Sequence, residues 1–110
     1  MFNVPMLITL LAVAHFVGDF ILQSDKMAIN KSKSVWWLSY HSVVYAFVFI
    51  WLGFEFAIIT ACLHWLVDFC TSRIAAYWYD KNRHWFFVTI GADQMLHTVA
   101  LIWTLWLVYQ

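Results

Sequence analysis

Three short segments of this 110-residue chain set a histidine and an aspartate four residues apart: His15 and Asp19 in HFVGD, His64 and Asp68 in HWLVD, Asp93 and His97 in DQMLH. On a helix that spacing stacks both side chains on one face. It is also the spacing by which two residues of one helix ligate a single metal. A fourth histidine, His41, lies in LSYHSVV. Imidazole with carboxylate is a donor set for zinc first, and for iron or manganese, and it is not a thiolate site. The predicted ligands are therefore His15, Asp19, His41, His64, Asp68, Asp93 and His97. Seven donors exceed one tetrahedral site, so two divalent ions, or one ion with outer hydrogen-bonding groups, are expected. Asp19, Asp68 and Asp93 are also the candidate catalytic carboxylates, one of them left off the metal as general base. Gln23 and Gln94 are expected to support the ligands by hydrogen bonds, and Thr98, Ser39, Ser42 and Tyr45 are neighbours able to do the same.

All seven groups lie inside apolar stretches. The chain is 65% hydrophobic and 11% charged, with 21% aromatic residues. A soluble domain is nearer half apolar and a quarter charged, and a chain this short cannot hide such a surface from water. A soluble globule and a disordered chain are excluded. So is a nucleic-acid binder, because the formal net charge is zero. Four stretches, about 4–22, 35–53, 56–72 or on to Tyr79, and 85–109, are long enough or nearly so to cross a hydrocarbon core. Lipid offers no partners to free backbone groups, so helices are predicted. Three unpaired carboxylates at such depth would cost about 8–10 kcal/mol on insertion scales. They need partners or a cation.

The elements that position these groups follow from the basic residues. Lys26, Lys31 and Lys33 lie between the first and second stretches, and Arg73, Lys81 and Arg83 lie between the third and fourth. The short turn at Gly53–Glu55 has none. In a four-helix serpentine the two basic connections share one side, which the positive-inside rule makes cytoplasmic. The expected architecture is an all-α, integral membrane four-helix bundle of one domain over residues 1–110, with both termini on the outer side of a bacterial inner membrane. The first stretch has no basic leader and no small-residue cleavage site, and reads as a retained helix. Because the fourth span runs opposite to the first and third, Asp19, Asp68 and Asp93 all fall on the cytoplasmic side of their histidines. Asp19 and Asp68 lie roughly 5–6 Å below the span ends, Asp93 near 12 Å, and His15, His41 and His64 around 9–12 Å, with His97 deeper. A carboxylate layer above an imidazole layer would line one polar pocket opening to the cytoplasm. Lys26, Lys31 and Arg73 can attract an anionic lipid headgroup there. Trp36, Trp37, Tyr77, Trp78, Tyr79 and Trp85 read as an interfacial belt, and His84 as a solvated loop residue. Cys62 and Cys70, eight apart on one helix, are separated by about 12 Å of rise, too far for a disulfide, and read as buried thiols.

The run HFVGDFILQSDKMAINK, then LSYHSVVYAF, HWLVDF and DQMLH, resembles the domain-of-unknown-function family 3307, small polytopic membrane proteins of bacteria and phages. The likeness covers nearly the whole chain and rests on His15, Asp19, Phe20, Leu22, Gln23, His41, His64, Asp68, Asp93, Gln94 and His97. It implies a membrane protein and says nothing of activity. A more distant likeness is to bacterial membrane proteins described as metal-dependent hydrolases, which also carry intramembrane His and Asp.

The leading expectation is a membrane-embedded metalloprotein that hydrolyses a lipid-linked or membrane-proximal substrate, since phospholipids and polyprenyl phosphates present ester and phosphate bonds at that depth. Membrane lipid is the expected partner, and the sequence assigns no oligomeric state. The alternatives are an ion- or proton-coupled transporter using the same cluster, a haem protein with histidine axial ligands, and a purely structural His/Asp network. With Pro5 the only proline, no pair of broken spans supports the transporter.

Overall fold

The computed structural model describes residues 3–109 and is all-α. Helix α1 (Val4–Phe16) starts where the Asn3 side chain accepts from the Met6 amide, with Pro5 in the first turn, where its missing N–H is not needed. It runs on into a π-helical turn, Val17–Ile21. A six-residue helix, α2 (Asp25–Asn30), follows, capped by Ser24 and anchored by the buried Met27. Helix α3 (Val35–Val48), capped by Ser34, passes into a 3-10 turn at Ile50–Leu52. Gly53, at φ +101°, takes the left-handed conformation that reverses the chain into α4 (Phe54–Trp78). Helix α5 (Arg83–Tyr109) returns along it.

Helix α4 packs along α5 and against α3, and the π turn seats the end of α1 on α3. Leu11, Ala14, Tyr45, Phe49, Phe56 and Leu101 form the apolar core. These residues fall before His15, after His41, before His64 and after His97. The core therefore closes the end of the bundle that carries both termini and the Gly53 turn. The Tyr109 hydroxyl, donating to the Leu52 carbonyl, ties that end together. All six basic residues belong to the other half.

Among the described residues, three helices are long and apolar enough to cross a membrane: Val4–Ile21, Phe54–Trp78 and Arg83–Tyr109. Helix α3, with 14 residues, rises only about 21 Å. The bundle surface is inverted relative to a soluble protein. Phe47, Ile58, Leu66, Trp103 and Trp106 are exposed, while all three span aspartates and their histidines are buried.

The third apolar stretch takes the longer of its two expected extents and continues as helix to Trp78. No Gly or Pro interrupts it, and Arg73 folds back on its own helix, donating to the Phe69 carbonyl at 3.0 Å with its guanidinium 3.9 Å over the Phe69 ring. The connection to α5 shrinks to a turn at 79–82. The cysteines are not buried. Cys62 and Cys70 are free and exposed, because α4 turns His64, Asp68, Thr71 and Ala75 inward and, at about 100° per residue, both cysteines point well over 100° away from that stripe.

Candidate metal centre

The inward faces of α3, α4, α5 and the π turn meet at one point. His41 Nε2 lies 3.0 Å from Asp19 Oδ1 and 3.3 Å from Asp68 Oδ2. His64 Nε2 lies 3.5 and 3.3 Å from the same two oxygens. The two Nε2 atoms are themselves 3.0 Å apart. Asp19, Asp93 and His97 make a second group, with donor atoms within 4.8 Å of one another. His97 Nε2 is 3.1 Å from Asp93 Oδ1 and 3.2 Å from Asp68 Oδ1. Asp19 is common to both groups.

Donors about 2.0–2.2 Å from a tetrahedral zinc stand roughly 3.3–3.6 Å from each other. The five separations in the first group, 3.0 to 3.5 Å, are close to that edge length. Four protein donors make a closed site, whereas three leave a coordination position open. The second group has three, and its Asp93 is the most exposed of the three aspartates.

The imidazoles are oriented by stacking. Tyr45 lies flat on His64 with centroids 3.9 Å apart, and His64 lies on His97 at 4.2 Å. His41 Nδ1 and His64 Nδ1 are buried without hydrogen-bond partners; for His64 the stacked rings take over the orienting role that an outer carboxylate or carbonyl usually has, and His41 meets the His64 ring at a 57° tilt.

His15 stands apart from both groups. Its Nδ1 meets the Tyr45 hydroxyl at 2.8 Å and its Nε2 meets Gln94 Oε1 at 2.8 Å, while Asp19 is 3.8 Å away. Winding decides this. His64–Asp68 and His97–Asp93 sit on regular α-helix at 3.3 and 3.1 Å, but Asp19 falls in the π turn, which swings it from His15 toward His41. Gly18 permits the close seating, since a Cβ there would stand 3.0 Å from Tyr45 Cδ2.

A cavity of about 620 Å³ opens over the centre from the half of the bundle that carries the basic residues. Asp19, Asp68, Asp93 and Gln94 line it, and no histidine does. The carboxylates thus lie between the cavity and the imidazoles. Gln94 donates to Asp93 Oδ2 at 3.0 Å and to Asp19 Oδ2 at 3.4 Å. Gln23 lines the same cavity without touching a ligand through its Oε1.

The family model described as "Protein of unknown function (DUF3307)" matches residues 6–110. The chain belongs to the DUF3307 family. No curated protein and no solved structure matches it. For this DUF3307 chain the site therefore rests on its own geometry.

Tyr45, expected as a supporting neighbour, holds His15 and His64 as described. Two contacts were not foreseen from the sequence. Thr71 donates to Asp93 Oδ1 at 2.5 Å, and it carries a signal, since it extends the His64/Asp68 stripe. The second has none. Lys31 reaches from the loop after α2 to donate to Asp68 Oδ2 at 3.1 Å. Of the three basic residues expected at a headgroup, Lys31 lines the cavity, while Lys26 and Arg73 do not.

Proposed function

We propose that the chain is a membrane-embedded metalloprotein, one four-span domain over residues 1–110 of a bacterial inner-membrane protein, with its termini outward and its cavity toward the cytoplasm. It holds one or two divalent ions, zinc first, and acts as a hydrolase on a lipid-linked or membrane-proximal substrate. The observation that carries this reading is the convergence of Asp19, His41, His64 and Asp68 donor atoms within 4.8 Å of one another, with five of their six separations near a tetrahedral edge. A network built only for packing would spend its nitrogens on separate partners. Here both outer nitrogens are unpaired while both inner ones crowd onto the same oxygens.

In this reading the first group anchors an ion and the second, open to the cavity, is the reactive position. A divalent ion there supplies Lewis-acid activation of a water or of an ester or phosphoryl oxygen. Asp19 joins the two groups. Asp93 lines the cavity, with Thr71 donating to its Oδ1 and Gln94 to its Oδ2, and the remaining lone pair of Oδ2 is the proton acceptor in this reading. His15 acts through Gln94 and Tyr45 rather than as a ligand. The apolar core behind the imidazoles argues for a site with one entrance rather than a transport path, and the stacked histidines argue against a haem between them.

Metal analysis of the purified full chain tests the reading. At least about one equivalent of a transition metal is expected, falling at least about tenfold in affinity with His64→Ala. Less than about half an equivalent in the wild type, unchanged by His64→Ala, would overturn it.

A further inference from the structure

The cavity above the centre is not lined by carboxylates alone. Lys31 and Lys33 are in its wall, as are Ser72 and Gln23, whose Oγ and Oε1 atoms are fully buried and have no partner in the protein. Both residues line the cavity, so a turn of either side chain would bring its unpartnered atom to a ligand there. A hydroxyl and an ammonium are donors, and the Gln23 oxygen is an acceptor.

Charge selects the ligand. Asp19, Asp68 and Asp93 against the Lys31 ammonium leave two negative charges, and Lys33 cancels Asp80 in the same wall. Filled with the two divalent ions that the two groups admit, the floor becomes doubly positive. A phosphate group of about −1.5 to −2 neutralises it. Lys31 donates to Asp68 Oδ2, the oxygen that the four-residue group also uses. An ion there and the ammonium would meet at one oxygen as like charges, which would favour Lys31 pointing into the cavity that it already lines.

We propose that this cavity is a phosphate site, gripping a phosphate monoester or free phosphate between the ions and the Lys31 ammonium, with Ser72 as a second donor. It rests on the metal-centre reading above, and it narrows the substrate to a phosphate-bearing molecule.

The test uses the full chain in a phosphate-free maltoside micelle, either stripped with chelator or loaded with zinc and desalted, the zinc content being measured on each sample. Inorganic phosphate and a short-chain phosphatidic acid are titrated by calorimetry. The zinc-loaded wild type is expected to bind at least about tenfold more tightly than the stripped protein, and Lys31→Met to lose at least about tenfold while keeping its zinc. Ser72→Ala, which removes only a hydroxyl, is expected to weaken the anion severalfold with zinc content unchanged. Binding of both probes means the phosphate group suffices, and binding of phosphatidic acid alone means a lipid headgroup is the source. Either supports the site. Zinc retained with neither probe bound, or equal binding by the wild type and both variants, overturns the phosphate site and leaves the metal centre standing. No zinc retained by the wild type overturns both.

Discussion

His41 Nε2 and His64 Nε2, carried by two different helices, lie 3.0 Å apart. Both also face Asp68 Oδ2 at 3.3 Å. One proton can sit between two imidazole nitrogens, but two cannot. A divalent cation resolves the crowding by accepting lone pairs from both rings and from the carboxylates at once.

Ligand binding to the folded chain alone stabilises it, by about 2.7 kcal/mol at a hundredfold excess over Kd. Chelator treatment is therefore expected to lower the melting temperature in detergent by several degrees, with zinc restoring it. A melting temperature indifferent to chelator and zinc contradicts the metal centre.

Asp19 belongs to both donor groups and Asp93 to the second only. Asp19→Asn is expected to reduce bound metal below about half an equivalent, whereas Asp93→Asn retains about one. Metal analysis of the two variants in parallel separates a shared ligand from a dispensable one. Equal losses contradict the assignment.

Gly18 lets the π turn meet α3. Gly18→Ala gains about 1 kcal/mol of helix propensity but places a methyl 3.0 Å from Tyr45 Cδ2 and 3.4 Å from Val48 Cγ2. Overpacking costs about 1–3 kcal/mol, and the Tyr45 ring that must give way is itself held on His64. A net loss of thermal stability is expected, together with weaker metal retention because Asp19 is the next residue. An unchanged or raised melting temperature counts against this packing.

Tyr45→Phe keeps the ring on His64 and removes the hydroxyl from His15 Nδ1. Leaving a buried imidazole nitrogen unpaired costs about 1–3 kcal/mol. Lower thermal stability with metal content close to wild type is expected, since Tyr45 orients rings and donates nothing to the ion. Loss of metal equal to that of His64→Ala would instead make the hydroxyl part of the centre.

Much of this protein is legible along the chain because it depends on local periodicity. Apolar runs determine the helices. The i,i+4 pairs determine which face of α4 and α5 turns inward, and the basic residues mark one half of the bundle. The family is legible too, in four motifs taken in order. The tertiary structure decided what spacing does not encode. The π turn at Val17–Ile21 broke the equivalence of the three pairs, sending Asp19 to His41 and His15 to Tyr45 and Gln94. Lys31, in a loop with no periodic signal, reached Asp68 across 37 positions of sequence. Helical spacing states which residues share a face, but which neighbour a face meets depends on how closely helices approach. That is set by side-chain volume at contacts such as Gly18 against Tyr45, and volumes meet only once the bundle has closed.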